Sequence, residues 1–424
     1  MNIEILNTGS ELMLGRVLNT HQQWLCRQFA DAGYVVDRQV AVADTAQDIQ
    51  QAVREALSRA DLIVVTGGLG PTSDDLTRDA IAELVGRPLR EDPAIVAQLN
   101  AWYAARKRTP SAAVLVQAQV PEGATALPNA HGTAPGLLIE VQPNPHSPTG
   151  KAAWLVMLPG PPRELRPMFA EQVLPWVQRT LPLAAPFVCR TLRSTGVPES
   201  TMQEHIAGPL ADLVSRGLEI GYCARPGEVD VRLSARTTGA ECLVAEAEAV
   251  VRQTVGRHLY GEEGETLEAA VVRLLGQRRL TVAVAESCTG GRLASRITDV
   301  PGASAVFLGG CITYSNDLKQ RLLGVPAEAL SQHGAVSEPM ARLMAEGART
   351  RTGADFALAV TGIAGPSGGT PEKPVGTVFI ALASASDTAV KRMLNAFDRE
   401  TFKHMTCEQA LEMLRQRLLA GGGS

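Results

Sequence analysis

The chain has 424 residues, 45 % of them hydrophobic and 20 % charged, with a formal net charge of −4 at pH 7. That length predicts two or three domains, and the composition is globular, which excludes an extended disordered chain. The mild acidity and the lack of a basic patch argue against direct binding of nucleic acid, and no apolar run approaches a membrane span. The seven cysteines (Cys26, Cys189, Cys223, Cys242, Cys288, Cys311 and Cys407) are scattered without a CxxC pair, so neither a zinc site nor a disulfide framework is indicated. The first residues carry no basic segment followed by an apolar one, and the expected location is a reducing cytoplasm. The closing Gly421–Ser424 reads as a disordered tail.

In chain order, residues 2–8 read as a strand ending at Thr8-Gly9, and Leu18 to Ala32 as a helix with Gly33 at its C-cap. Thr45 looks like an N-cap. Ile49, Ala52, Val53, Ala56 and Leu57 then recur at helical spacing and form one apolar face. Leu62 to Thr66 is a short apolar strand, closed by Gly67-Gly-Leu-Gly-Pro71, and a helix is expected from about Asp75 to Val85. Gly136–Val141 and Ala153–Leu158 read as further strands, with a proline-rich exposed loop between them. Strands alternating with helices imply a parallel sheet with crossover helices.

Residues from about 170 to 258 have a different character. Val188–Ser194, a helix near 200–213, Leu218–Ala224, Val229–Ala235 and a helix near 241–255 give the order β-α-β-β-α, a small α+β module. Gly261–Glu265 is a polar, glycine-bearing segment expected to be a linker. Thr266 caps a helix with Leu267, Ala270, Val271, Leu274 and Leu275 on one face. Strands follow near 281–286, 305–314, 355–361 and 375–383, and a helix from about Thr401 ends the chain. The expected fold class is α/β: two α/β domains with largely parallel sheets, residues 1–170 and 265–420, joined by a small α+β middle domain, residues 171–258.

Two segments carry chemistry. Val282-Ala-Val-Ala-Glu-Ser-Cys-Thr-Gly-Gly291 is an apolar, β-prone run that stops at hydroxyl and glycine residues, and a helix-like segment follows from Arg292. A strand turning sharply into a helix presents Ser287 and Thr289 beside unpaired backbone N–H groups. That suits either a phosphate or a hydroxyl nucleophile with its oxyanion hole. In the first domain, Thr66-Gly-Gly-Leu-Gly-Pro-Thr-Ser-Asp-Asp-Leu-Thr77 combines glycines that admit a ligand to the backbone (Gly67, Gly68 and Gly70) with a hydroxyl at Thr72. Asp74 and Asp75 are oxygen ligands suited to a hard divalent cation. A capped helix start is the plainer reading of the same residues. Thr8-Gly-Ser-Glu11 and Leu158-Pro-Gly-Pro-Pro-Arg-Glu164 also follow strands, where parallel sheets place ligands. They bring Glu11 and Arg163 toward the same cleft.

Gly67–Thr77 and Pro159–Glu164 resemble the molybdopterin-binding-like domain of the CinA family, a MoaB/MogA-like fold. Glu286–Gly291, Thr313–Lys319, His333–Ser337 and Gly362–Pro366 resemble that family's C-terminal domain, which is similar to stand-alone nicotinamide-nucleotide amidases. The resemblance covers essentially the whole chain. It implies a homodimer and two activities: a metal-dependent ADP-ribose pyrophosphatase in the first domain and deamidation of nicotinamide mononucleotide in the last. The implied cofactor is a divalent metal ion at the N-terminal site, held by Asp74, Asp75 and Glu11, with none at the amidase site. Gly67, Gly68, Gly70, Thr72 and Arg163 would hold phosphate.

For the amidase the expected chemistry is a serine–lysine dyad, because no histidine near these motifs sits in an evident triad. Ser287 attacks the carboxamide, and Lys319, with its pKa lowered by desolvation, takes the serine proton. Tyr314 relays that proton or orients the lysine. Backbone N–H groups near Thr289, Gly290 and Gly291 hold the oxyanion, Gly362 and Gly365 wall the pocket, and Arg399 pairs with the nucleotide phosphate. Glu286 either orients Lys319 or ends the strand. Two other readings stay open: a nucleotide-binding regulatory protein without turnover, and an N-terminal domain that binds a pterin or adenylylates.

Overall fold

The computed structural model of the chain describes residues 1–185 and 187–421, so Gly422, Gly423 and Ser424 of the expected tail lie outside the described residues. The chain forms two compact units, residues 1–189 with 236–240 and residues 190–235 with 241 onward. Among the described residues no helix is long and apolar enough to cross a membrane.

The first unit holds strands β1 (Ile3–Thr8), β2 (Arg38–Val42), β3 (Leu62–Thr66), β4 (Leu89–Glu91), β5 (Gln119–Pro121), β6 (Thr125–Leu127), β7 (Gly136–Val141) and β8 (Ala153–Leu158). The main sheet has the order β2-β1-β3-β8-β7-β6. β2, β1, β3 and β8 are parallel, whereas β7 and β6 are antiparallel. β1 and β3 are buried along their whole length, as strands covered by helices on both faces must be. Successive side chains point to opposite faces. Leu6, Ile63, Val65 and Leu155 meet Ile49, Val53 and Ala56 of the helix Ala46–Leu57 on one side. Ile3, Ile5, Leu62, Val64 and Val156 meet Leu25, Phe29 and Phe169 on the other. Phe29 and Phe169 pack edge to face with centroids 5.1 Å apart, and Trp24 lies edge-on to Phe169 at 5.7 Å.

The second unit contains a four-stranded sheet, β10-β11-β9-β12, from β9 (Val188–Thr195), β10 (Glu219–Arg225), β11 (Glu228–Ala235) and β12 (Leu259–Glu262). It also contains a five-stranded sheet, β14-β13-β15-β16-β17, from β13 (Val282–Glu286), β14 (Phe307–Ile312), β15 (Phe356–Gly362), β16 (Thr377–Ala383) and β17 (Thr388–Leu394). β14, β13 and β15 are parallel, and β16 and β17 close the sheet antiparallel. The alternation Val-Ala-Val-Ala in β13 sorts side chains by size. Val282 and Val284 meet Leu411 and Leu414 of the long helix Arg399–Ala420. Ala285, Ala357 and Ala359 lie under Met340 and Met344 of the helix Glu338–Thr352, whose bulkier side chains fill the space.

Several expected boundaries shift for local reasons. The helix expected from Leu18 starts at Thr20, because the Asn19 side chain accepts from the Gln22 N–H. The one expected from about Asp75 spans Thr77–Leu84. The one expected near 200–213 breaks into Glu199–Ala207 and Ala211–Ser215, at Gly208-Pro209, where proline removes a helix donor. Part of the expected linker 261–265 is ladder: Leu259–Glu262 pairs antiparallel with β9. β2 and β17 were not expected, and neither is a continuous apolar run.

Phe169→Ala removes a fully buried ring from the first unit. It is expected to lower that unit's stability by about 3–5 kcal/mol. All four tryptophans, Trp24, Trp102, Trp154 and Trp176, lie in residues 1–185, so urea unfolding followed by tryptophan fluorescence reads this unit. The amide hydrogen exchange of β13 and β15 should not move. A matching loss of protection in those strands would show that the two units unfold as one.

Candidate active site

In the five-stranded sheet β13 is flanked by β14 on one side and β15 on the other, both parallel to it. The chain leaves β13 toward one neighbour and returns on the far side, which opens a crevice beyond the carboxyl ends of the strands. Ser287 is the first residue past β13. It is pinned there because its N–H donates to the Val360 carbonyl (3.0 Å) while the Thr313 N–H donates to the Glu286 carbonyl (2.8 Å). The turn Ser287–Gly291 closes with the Gly290 N–H on the Ser287 carbonyl (3.2 Å). Gly290 and Gly291 have φ of 62° and 96°, a region that favours glycine. A Cβ on Gly291 would also stand 2.9 Å from Ile312 Cδ1.

Lys319 comes from the helix Asn316–Leu323, which Ser315 caps by accepting from the Leu318 N–H. The lysine is 1 % exposed. Its Nζ lies 3.2 Å from Ser287 Oγ, 2.7 Å from the Thr313 carbonyl and 3.4 Å from the Tyr314 carbonyl. Burial holds its pKa below the ordinary lysine value, since a desolvated ammonium is disfavoured. Ser287 and Lys319, separated by 32 residues, are thus in direct contact. The neighbouring Cys288 is buried, and burial pushes its thiol up to about 12. It is therefore a poor source of thiolate.

Glu286 does not touch Lys319. Its fully buried carboxylate accepts from the N–H groups of Gly291 (2.9 Å), Leu293 (3.1 Å) and Ala294 (2.8 Å), which caps the helix Arg292–Thr298. Of the two readings of Glu286 the second holds: the strand ends at it, and its carboxylate orients the turn and not the lysine. One expectation changes with it. The Gly291 N–H, expected at the oxyanion, is committed to Glu286, and the Gly290 N–H to Ser287. Among the described residues, the N–H groups of the Ser287 turn left without an acceptor are those of Cys288 and Thr289. Thr289 is fully buried, and its hydroxyl has no hydrogen-bond partner among the described residues.

Tyr314 is 60 % exposed, and its hydroxyl accepts from Arg399 Nη2 (3.0 Å). Its backbone carbonyl is what meets the lysine, so it orients Lys319 through main chain and not through a hydroxyl relay. Arg399 Nη1 donates to the Gly365 carbonyl (2.9 Å). The guanidinium therefore ties the Gly362–Pro366 loop to Tyr314. Gly362 is a packing glycine: a Cβ there would stand 2.8 Å from the Thr377 carbonyl and 3.0 Å from the Phe402 ring. His333 is exposed at the end of the helix Ala327–His333.

The first unit repeats the topology, with β1 between β2 and β3. A cavity of about 350 Å³ lies beyond the strand ends. It is lined by Asn7, Thr8, Glu11, Gly67, Gly68, Asp74, Asp75 and His21 among others. Asn7 is 1 % exposed. Its amide donates to Thr66 Oγ1 (2.7 Å), whereas its Oδ1 has no partner among the described residues. The glycines serve the loop itself: a Cβ on Gly67 would meet Thr8 Oγ1 at 2.7 Å, and one on Gly68 would overlap the Thr77 hydroxyl. Asp75 Oδ2 accepts from the Thr72 N–H (2.9 Å) and Oγ1 (2.5 Å), so Thr72 and Asp75 satisfy each other. Gly70 packs on the same carboxylate. Arg163 is 80 % exposed along its side chain, lies 3.7 Å from Glu164 and is not part of the cavity wall. Glu11, Asp74 and Asp75 border one cavity, yet among the described residues no three His, Cys, Asp or Glu converge closely enough to hold a metal ion.

Three segments match known families in order. Residues 4–179 match a probable molybdopterin binding domain, residues 189–261 the damage-inducible protein CinA KH domain, and residues 264–418 the CinA C-terminal domain. A CinA-like protein of Akkermansia muciniphila is 44 % identical over 97 % of this chain and 96 % of its own. A CinA-like protein of Gemmatimonas aurantiaca is 42 % identical over 100 % and 98 %. Among solved structures, the competence/damage inducible protein CihA from Agrobacterium tumefaciens is 42 % identical, covering 35 % of this chain and 94 % of that one with a TM-score of 0.34. Relatives of this identity along the whole length, together with the three matched segments, establish that the chain belongs to the CinA family.

Proposed function

We propose that the second unit hydrolyses the carboxamide of a pyridine mononucleotide, nicotinamide mononucleotide, to nicotinic acid mononucleotide and ammonia. The observation that carries this reading is the 3.2 Å contact between Ser287 Oγ and the buried Lys319 Nζ. A neutral amine has two N–H donors and one lone pair. The Thr313 and Tyr314 carbonyls take the two donors, and the lone pair is left for the serine O–H. An ammonium would have no carboxylate to pair with, because Glu286 is committed to backbone N–H groups.

In this mechanism Ser287 Oγ attacks the carboxamide carbon as its proton passes to Lys319 Nζ. The N–H groups of Cys288 and Thr289 hold the oxygen of the tetrahedral intermediate; the N–H of the residue after the nucleophile has this role at other strand-to-helix nucleophile turns. The lysine ammonium returns the proton to the amide nitrogen, the C–N bond breaks and ammonia leaves. Water then attacks the acyl-serine and gives one proton to Lys319, the C–Oγ bond breaks as Lys319 returns that proton to Ser287 Oγ, and the acid leaves as its carboxylate. Arg399 holds the Gly365 carbonyl and the Tyr314 hydroxyl together and so fixes the Tyr314 carbonyl on which the lysine rests.

For the first unit the proposal is binding of a phosphorylated nucleoside, ADP-ribose being the case the family resemblance implies. The orphaned Asn7 Oδ1 in the cavity wall supports a ligand with a hydrogen-bond donor, since a buried acceptor without a partner is costly. The acidic residues there do not form a ligand set for a metal, so no hydrolytic step is derived at that cavity.

Mass-resolved analysis of the products from nicotinamide mononucleotide is expected to show the acid and ammonia from the wild type. Ser287→Ala and Lys319→Ala should each lose activity by a factor on the order of 1,000 or more while keeping their fold. Turnover by Ser287→Ala would move the nucleophile elsewhere, and an inert wild type would sink the amidase reading.

The pH profile follows from Lys319. Only the neutral amine accepts a proton, so kcat/KM should rise with pH as the lysine deprotonates. The midpoint of that limb should fall below the ordinary value of 10.5, in the direction burial sets. A profile that falls as pH rises through this range would rule out the lysine as base.

A further inference from the structure

Three cations surround the nucleophile turn besides Lys319, and they are not equivalent. Arg292 donates to the Glu400 carbonyl (3.1 Å) and carboxylate (2.8 Å). Arg399 is tied to Gly365 and Tyr314. Lys403, one turn further along the same helix, is half-buried and makes no hydrogen bond or ion pair among the described residues. Its Nζ stands 3.8 Å from the position a Cβ on Gly290 would take. The ammonium thus overhangs an exposed glycine in the turn that begins at Ser287.

Its ammonium, without a partner among the described residues, is left for something anionic to meet. No carboxylate of the turn can do so, because Glu286 faces the backbone of the next helix. Nor does Lys403 act on the general base. The influences on Lys319 are its burial and the Cys288 thiol. The charge of Lys403 is felt at Cys288 instead, next to the nucleophile. The surplus positive charge is therefore available to substrate, about one tight turn from the reacting carbon.

We propose that Lys403 is a specificity-determining residue that binds the phosphate monoester of the amide substrate above Gly290. This rests on the amidase reading and extends it, because Lys403 would select a mononucleotide over the nucleoside or the free amide. It also replaces Arg399 as the phosphate ligand. Glycine at position 290 fits that role: a side chain there would lie in the gap between the ammonium and the turn.

The test uses the full-length wild type, Lys403→Met and Lys403→Arg, each assayed with nicotinamide mononucleotide and with nicotinamide riboside. In Lys403→Met the preference for the mononucleotide, as a ratio of kcat/KM values, is expected to fall about 10–100-fold. The fall should be carried by KM, and Lys403→Arg should restore most of it. A preference that stays the same in Lys403→Met would overturn the proposal, whatever happens to the absolute rates. Calorimetric titration with ribose 5-phosphate separates this outcome from failure of the amidase reading. Binding weakened by a similar factor in Lys403→Met supports the anchor even if the wild type releases no ammonia. Equal binding by wild type and variant, or no binding by the wild type, rejects it. The difference between wild type and variant isolates this site from the cavity of the first unit.

Discussion

The catalytic arrangement depends on where one buried carboxylate goes. Glu286 ends a strand covered on both faces and has no route to solvent, so its charge must be met inside the protein. Three N–H groups of the following turn and helix meet it, and charge-assisted hydrogen bonds at a helix N-terminus are a favourable way to do so. Two consequences follow. The turn carrying Ser287 is held rigid against the helix behind it. Lys319, whose Nζ is within hydrogen-bond reach of the nucleophile, is left with neutral carbonyls and a hydroxyl for company. A carboxylate at its side would have kept it an ammonium. By capping the helix, Glu286 leaves the lysine without a carboxylate beside it.

The two α/β sheets solve the same problem in different ways. In each, a central parallel strand has its sequence neighbours on opposite sides, and the crevice past its carboxyl end is where a ligand fits. A buried polar side chain sits near the end of each central strand: Asn7 in β1 and Glu286 in β13. Glu286 is saturated by its own backbone, so that crevice is pre-organised for a nucleophile. Asn7, a residue of the cavity wall, keeps one buried acceptor without a partner among the described residues. The glycines of the Gly67–Gly70 loop belong to neither role directly. They allow the loop to pass against Thr8 and Thr77, which positions the wall of that cavity.

What could be read from the sequence follows from how local each cause is. β3, β7 and β8 are continuous apolar runs bounded by turn residues, and their ends fall where composition places them. The Thr45 and Thr266 caps act within three residues and were legible for the same reason. β2 and β17 have exposed or mixed faces, so tertiary pairing decides them and periodicity does not. Ser287 and Lys319 were legible because each sits at a strand–helix junction. The hydrogen-bond partners of Glu286, Asp75, Tyr314 and Arg399 are less legible, because a polar side chain near a turn has several partners in reach and only the folded chain decides among them. The position of Lys403 beside the Ser287 turn could have been read from its spacing from Arg399. Residues four apart on a helix share a face, and a face known to point at the site at one turn points there at the next.

That helix, Arg399–Ala420, also explains why the four-stranded and five-stranded sheets form one compact unit. Its first turns carry Arg399 and Lys403 to the crevice. Its later turns face the middle sheet, where Arg415, 2 % exposed, donates to the carbonyls of Leu259 and Arg257. Between them Glu408 packs beneath Gly227 of the β10–β11 hairpin and pairs with Arg296 (2.7 Å), on the very helix that Glu286 caps. Buried ionic groups of this kind add little net stability over an apolar packing of equal volume. What they supply is geometry: Arg296 also reaches Glu268 (2.6 Å), so three elements are fixed in register behind the Ser287 turn. Burial pushes Glu408 up to about 7, and the Arg296 guanidinium opposes that rise. Burial outweighs that attraction, so the carboxylate holds its proton more readily than an exposed one would. The four-stranded sheet is thereby held to the core of the five-stranded one by the same helix that carries Arg399 and Lys403 to the crevice.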